Sequence, residues 1–211
     1  PPVRPLLRLW WQASREGRRP DPAQIDRVRR EQVGWQRVAL VTGELRLPSA
    51  MALDLGGLRK GAQVDAVAAD LLAADPTTAA LIDYGGSSLR ALGSAAWSVT
   101  VLDPGGGEEP WLRLSLKAGQ ALAVSGGARR GWTVGDEQLS TIIDGRSGEP
   151  VPLANAACVL APDATSADAW ATIACILSVA ELRAAVAAEP DLAMVLRRPD
   201  GELRLGAWPS D

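Results

Sequence analysis

The sequence predicts an α+β fold with a largely antiparallel sheet, and three observations carry that expectation. Helical patterns come first, up to about Gln32; short apolar or alternating runs dominate afterwards, with only a few helical stretches between them; and the chain closes on a hairpin pattern around Pro199-Asp200-Gly201. A doubly wound parallel sheet would instead alternate strand and helix throughout. At 211 residues the chain fits one domain, 1–211, with a real core, and its 47% hydrophobic content excludes a disordered chain.

Taken in order, residues 4–13 place Leu6, Leu7, Leu9 and Trp10 at helical spacing, and SREGRRPDP reads as a loop. Asp21-Pro22 supplies an N-cap followed by Pro at the first helical position, opening a helix through about Gln32 that Gly34 closes. Trp35 to Val41 and Glu44 to Leu47, on either side of a Thr-Gly turn, suggest a hairpin. An apolar run, Met51 to Leu53, reads as a strand before Gly56-Gly57. The main helix follows from about Leu58 to Ala73, with Val64, Val67, Ala68, Leu71 and Leu72 on its apolar face.

After Asp75-Pro76, Ala79 to Asp83 reads as a buried strand, turned by Gly85-Gly86 into Ser88 to Leu92. Trp97 to Leu102 alternates and ends at DPGGGEEP, where a mobile exposed turn is expected; Trp111 to Leu116 and Ala121 to Val124 are further strands. Residues 125–150 are too glycine-punctuated for one element. Ala156 to Ala161 is a buried strand, Thr165 to Leu177 a helix with a capping-box-like Thr165-x-x-Asp168, and Val179 to Ala188 another helix. Ala193 to Arg198 and Glu202 to Leu205 form the last hairpin.

Composition narrows the chemistry. The chain has no histidine, which excludes a Ser-His-Asp or Cys-His nucleophile and any His-ligated metal. Acid–base work falls to carboxylates, lysine or water. Net charge is −3 with both signs mixed, so no footprint for nucleic acid is present, and the Arg-rich stretches 15–19 and 27–30 read as a solvated face. No apolar run reaches the ~20 residues of a membrane helix. Cys158 and Cys175 lie in apolar stretches and read as small core residues. With eight Trp, one Tyr and no Phe, most Trp are expected to fill the core.

Candidate chemistry gathers in four places. DLGGLRKGAQVD at 54–65 sets a glycine turn before a helix, where backbone N–H groups and the helix dipole favour an anion; a glycine pair there is more often a plain tight turn. Lys60 neutralises a phosphate or is simply solvated. Gly85-Gly86 admits a ligand or bends the chain. Asp168 and Thr172, four apart on one helix face, are hard oxygen donors suited to Mg²⁺, or a helix-terminus carboxylate beside a neighbour-facing hydroxyl.

In order, DLGGLRKGAQVD, DYGGSS, VSGG, TIIDGRSGEP and ADAWAT resemble the ordered motifs of the FAD:protein FMN transferases, the ApbE-like flavin transferase family. That resemblance implies an α+β, T-fold-like architecture. It implies Mg²⁺-dependent transfer of FMN from FAD to a Thr or Ser of an acceptor protein with release of AMP. Carried over, Asp168 and Thr172 become Mg²⁺ ligands with the carbonyl of Arg59. Gly56, Ala62 and Ile143 sit against the flavin nucleotide, and Asp54, Gly57, Lys60, Gly85 and Gly86 complete the nucleotide-binding set. FAD and an acceptor flavoprotein are the implied partners. No catalytic residue is assigned.

Departures from the family pattern are specific. Thr141 stands where the family has His, Ala62 replaces Tyr, Gly145 replaces Pro, Asp83 replaces Asn, Ser87 replaces Asp, and Arg59 takes a position usually held by a small residue. The family's N-terminal segment is not recognisable. These differences keep two alternatives open, a non-catalytic flavin- or nucleotide-binding relative and an FAD pyrophosphatase yielding FMN and AMP. The chain taken alone leans toward a cytoplasmic location, while exported lipoproteins of the family keep the other compartment open. Its Ala/Arg/Gly-rich composition looks bacterial.

Overall fold

A proline in the first turn and a glycine just past the end delimit the first helix, α1 (Arg4–Glu16): Gly17 caps it at φ 64°, a left-handed conformation without Cβ penalty. The structure is a computed structural model that describes residues 2–104, 109–126 and 131–209. Helix α1 runs past the expected end at residue 13, because Ser14 to Glu16 complete its last turn. In α2 (Pro22–Gln32) the Asp21 carboxylate accepts the Ala23 N–H, as the cap pattern implies. Trp35–Arg37 is a 3₁₀ turn, not a strand; the hairpin is the shorter pair β1 (Ala39–Val41) and β2 (Glu44–Arg46), every residue exposed.

Residues 51–55 have no regular structure, so no strand precedes the glycine turn, which leads from Gly56 through Leu58 into α3 (Arg59–Ala74). The chain continues through β3 (Ala80–Asp83), β4 (Ser88–Leu92), β5 (Ala96–Leu102), β6 (Pro110–Lys117) and β7 (Ala121–Gly126). Of the mobile turn expected at DPGGGEEP, 103–110, residues 105–108 lie outside the described residues. Within the stretch expected to be irregular, β8 (Gly131–Val134) and β9 (Glu137–Ser140) pair as a hairpin. Next come β10 (Ala156–Ala161), α4 (Ala164–Ala174), α5 (Val179–Ala188), β11 (Ala193–Arg198) and β12 (Gly201–Leu205). No helix among the described residues is long and apolar enough to cross a membrane.

The chain forms two compact units. One comprises Pro1–Leu55 and Arg130–Leu153. Its core joins Leu6, Leu9, Trp10 and Ala13 of α1 to Ile25, Val134, Leu139 and Ile143, and the buried Trp10 indole N–H donates to the Gly148 carbonyl at 2.8 Å.

The other unit, Gly56–Arg129 and Ala154–Asp211, is built on a six-stranded antiparallel sheet ordered β12-β11-β10-β7-β4-β3. The expected antiparallel α+β character is therefore present. Strand β3 is an edge strand and only half-buried, not the buried strand its apolar residues suggest. Strand parity sorts the two faces. Leu122, Cys158, Leu160 and Val195 join Val99, Val101, Leu112, Leu114 and Leu116 of the β5–β6 hairpin in one core cluster. The alternate residues, among them Ala121, Ala123, Ser125 and Val159, face the other way, where α4 packs on β7 and β10 and α3 packs on α4 and β4. Both cysteines are buried as expected. Most tryptophans sit in or against the two cores, as expected: Trp10 is fully buried, and Trp97, Trp111, Trp132 and Trp208 are partly buried against the clusters, whereas Trp11 and Trp35 are more than half exposed.

Candidate functional site

Helix α4 buries a stripe of small residues, Ala164, Ala167, Ala171 and Ala174, and one carboxylate, Asp168, set among them with 1% of its surface exposed. A buried carboxylate is costly unless paired. The pairing comes from α3. Asp168 Oδ2 accepts the Gly61 N–H at 3.1 Å, and Oδ1 lies 3.4 Å from Lys60 Nζ. Gly61 is in the first turn of α3, so the anion meeting that helix's positive end is a protein carboxylate. Lys60 Nζ also donates to Ser87 Oγ at 2.7 Å, so the Ser at this position gives the ammonium a neutral partner where the family pattern has Asp.

One turn further along α4 stands Thr172. Its Oγ1 lies 3.3 Å from Ser125 Oγ on β7 and 3.4 Å from the Asp168 carbonyl oxygen. The Gly57 backbone presses on the same hydroxyl: a Cβ there would stand 2.9 Å from Thr172 Oγ1 and 3.2 Å from both Thr172 carbons. Gly61 is closer still to its neighbour, since a Cβ would come 2.0 Å from the Ala164 carbonyl oxygen. Two glycines therefore let α3 and the turn before it lie directly against α4.

The expected capping box at Thr165-x-x-Asp168 is not formed. The N-cap of α4 is Asp163, whose carboxylate accepts the Ser166 N–H. Thr165 donates its hydroxyl to Asp65 of α3, leaving Asp168 to Gly61 and Lys60. At the other end, Arg198 continues the helix-facing parity of Met194 and Leu196 and donates to the carbonyls of Ala174, Cys175 and Leu177, a cation where the helix dipole favours one.

The structure thus gathers Gly57, Lys60, Asp168 and Thr172 from the sequence-derived set, and adds Gly61, Ser87 and Ser125. Arg59 opens α3 with its side chain exposed; Ala62 is exposed one turn along, its N–H donating to the Leu58 carbonyl; Gly56 is exposed in the turn. Gly85 and Gly86 form the β3–β4 turn at φ 62° and 67°, with open space where each Cβ would be, and Asp83 Oδ1 accepts the Gly86 N–H at 2.7 Å. Asp54 and Ile143 belong to the first unit, where Asp54 pairs with Arg4 at 3.1 Å and Ile143 is buried in the core and bridged to Pro150. Thr141 lies in that unit as well.

Gly61 carried a readable signal: a glycine inside a helical pattern costs about 1 kcal/mol against Ala and marks close packing where it persists. Ser125 lies in the VSGG segment, whose Gly127 is outside the described residues. The buried thiols offer no nucleophile; burial pushes Cys175 up to about 12.

Among the described residues no group of three or more His, Cys, Asp or Glu gathers to hold a metal. The oxygens present are one carboxylate, the Asp168 carbonyl and the hydroxyls of Thr172, Ser125 and Ser87. Mg²⁺ is satisfied by one or two carboxylates with several retained waters, so this hard-oxygen set fits it.

Comparison with known proteins adds the relatives. The ApbE family model matches residues 1–196. An FAD:protein FMN transferase of Rhodobacter capsulatus is 37% identical over 131 residues, 60% of this chain and 24% of the relative. A second protein so named, from Treponema pallidum, is 31% identical over 173 residues, 75% of this chain and 47% of its own length. The chain thus spans between about a quarter and about half of these relatives. The crystal structure of the ApbE protein of Thermotoga maritima aligns over 97% of this chain and 69% of that one, with TM-score 0.83 and 24% identity. The apo flavinyl transferase ApbE of Pseudomonas stutzeri aligns over 96% and 64%, with TM-score 0.70 and 23% identity. At these identities the structures establish a shared fold.

Proposed function

Because the chain belongs to the ApbE family, we propose that it is a Mg²⁺-dependent flavin transferase, moving FMN from FAD to a Thr or Ser hydroxyl of an acceptor protein and releasing AMP. The observation that carries this reading is the gathering of the Asp168 carboxylate, the Thr172 and Ser125 hydroxyls and the Lys60 ammonium beside the Gly57 turn. The curated relatives named FAD:protein FMN transferase support the substrate.

Asp168 and Thr172 would hold the metal, and Mg²⁺ bound there would neutralise charge on the pyrophosphate. Lys60 adds a positive charge at the same place, a point charge suited to phosphate oxygens. The turn before α3, lacking a side chain at Gly57, keeps the backbone close to Thr172. In the transfer, the acceptor oxygen bonds to the FMN phosphorus, the bond from that phosphorus to the bridging oxygen breaks, and AMP leaves with that oxygen. With no histidine in the chain, the acceptor's proton passes to a carboxylate or to water.

One observation favours a second reading, a flavin-binding protein without turnover. Lys60 Nζ, 3.4 Å from Asp168, already supplies a cation to that carboxylate, and Thr141 stands where the family places His. Incubation with FAD and Mg²⁺, alone and with an acceptor protein, separates the two when AMP is followed by chromatography. The transferase reading expects AMP that EDTA and Asp168→Ala both abolish. FMN on the acceptor marks transfer, and free FMN marks hydrolysis. Bound but intact FAD with the acceptor present would overturn it.

A further inference from the structure

We propose that Asp65 is a positioning residue: it sets where the Asp168 carboxylate stands, through a reciprocal exchange of carboxylates between α3 and α4. The inference rests on the reading of Asp168 as the centre of the site. Asp65 lies on α3 four residues after Gly61, one turn further along the same face. Its Oδ1 accepts the Ala164 N–H at 2.9 Å and the Arg90 guanidinium at 2.6 Å; its Oδ2 accepts the Thr165 N–H at 2.8 Å and the Thr165 hydroxyl at 2.5 Å. Asp168 lies four residues after Ala164 and returns the contact by accepting the Gly61 N–H. Each helix therefore lends a carboxylate to the N-terminal turn of the other.

Residue 61 meets 168 and residue 65 meets 164, so the two helices pass in opposite senses and are tied at two points one turn apart on each. One tie would leave α4 free to rotate about its axis or slide along α3. Two ties a turn apart, around a Gly61 pivot where a Cβ would stand 2.0 Å from the Ala164 carbonyl oxygen, remove both freedoms. Thr172, one turn beyond Asp168, is carried by the same placement. Asp163 supplies the N-cap of α4 through Ser166, and Asp65 satisfies the two N–H groups before it, those of Ala164 and Thr165. Arg90, on β4, ties the arrangement to the sheet and balances the Asp65 charge.

The test compares wild type with Asp65→Asn by two readouts. The first is hydrogen exchange of the Gly61 amide followed by NMR, which reports the Asp168 contact without any metal. The second is Mn²⁺ affinity measured without FAD. If Asp65 positions Asp168, Asp65→Asn speeds Gly61 exchange by about tenfold or more, the worth of a hydrogen bond to a charged group. Amides of β10 and β11 stay within about twofold at the same time. Mn²⁺ binding weakens by about 10–100-fold, the range for partners that orient metal ligands. In an Asp168→Asn background the added Asp65→Asn change leaves Mn²⁺ affinity within about twofold, since the residue it acts through is already altered. A lower Tm with Gly61 exchange and Mn²⁺ affinity unchanged would overturn the inference and leave Asp65 a clamp of stability alone. Should Asp65→Asn not fold, Thr165→Val removes one donor to Asp65 and is judged by the same two readouts. If wild type binds no Mn²⁺, the metal reading of the site falls, and Gly61 exchange alone decides the positioning role.

Discussion

Two glycine pairs read almost alike in the sequence and do different things in the fold. Gly85 and Gly86 turn β3 into β4 with φ of 62° and 67° and nothing within 4 Å of where a Cβ would be, so conformation alone explains them. Gly57 has no positive φ, yet a Cβ there would press on Thr172, and Gly61 four residues later touches the α4 backbone. Gly85 and Gly86 are a matter of backbone dihedrals, Gly57 and Gly61 of proximity. A glycine needed for its dihedral is replaceable by a residue that tolerates the left-handed region. A glycine needed for contact is not replaceable by anything with a side chain.

Substitution at the contact glycines provides the largest expected effects. Gly61→Ala should lower stability by about 1–3 kcal/mol, the usual cost of forcing extra volume into a packed site, because the atom it meets is a backbone carbonyl that cannot rotate away. Urea unfolding measures this, and a loss below about 0.5 kcal/mol would mean that the α3–α4 contact is looser than the distance implies. Gly57→Ala meets a side chain, which can turn, so the stability cost should be smaller. Any turn of Thr172 displaces its hydroxyl from Ser125, and AMP release from FAD should fall by about 100-fold, as misplacement near 1 Å can do. Normal turnover in Gly57→Ala would break the contrast between the pairs from the site's side.

The turn glycines sharpen the comparison from the other direction. Gly86→Ala should cost about 1–2 kcal/mol, the penalty for an ordinary L residue in the left-handed region, while Gly86→Asn should recover most of it. Both variants should keep AMP release within about twofold once folded. If Gly86→Asn folds normally and loses FAD binding, the open space around this turn serves the nucleotide, and the two pairs are alike in function after all.

Much of this was legible in the chain, and the failures have local causes. The caps of α1 and α2, the C-terminal hairpin and the antiparallel order rest on contacts within a few residues, which periodicity and turn chemistry capture. Asp168 and Thr172 were readable as an i, i+4 pair. The role of Thr165 was not, because Asp163 and Thr165 are both acceptable caps, and the choice is settled by Asp65, 100 residues away. Strand β3 reads as buried because Ala80, Leu81 and Ile82 are apolar; its place at the edge depends on sheet order, which no local pattern encodes. The β8–β9 hairpin was missed because its strands are only four residues each; Gly135-Asp136, with Gly135 at φ 61°, is a two-residue turn whose signal was legible. Gly61 signals close packing from its place inside a helical pattern, but what it and Gly57 pack against shows only once the partner helix is in place.

Acid provides the smallest expected effect, and it acts on the contact region through Asp65. Burial pushes the Asp65 carboxyl up, but the Thr165 hydroxyl, the N–H groups of Ala164 and Thr165 and the charge of Arg90 together outweigh it and hold the group below the usual carboxylate value. A carboxylate whose pKa is lower folded than unfolded contributes stability that is fully present above its unfolded pKa, near 3.9, and is lost as pH falls through the folded value. Wild type should therefore lose stability between about pH 5 and the onset of acid unfolding more steeply than Asp65→Asn, and the two curves should converge at the acid end. Urea midpoints taken across that range give the difference directly, and the contributions of carboxylates remote from the α3–α4 contact cancel in it. Parallel curves would show that the donors around Asp65 do not favour its charged form. The tie pressing α4 onto Gly61 would then be geometric rather than electrostatic, and the contrast with the β3–β4 turn would rest on packing alone.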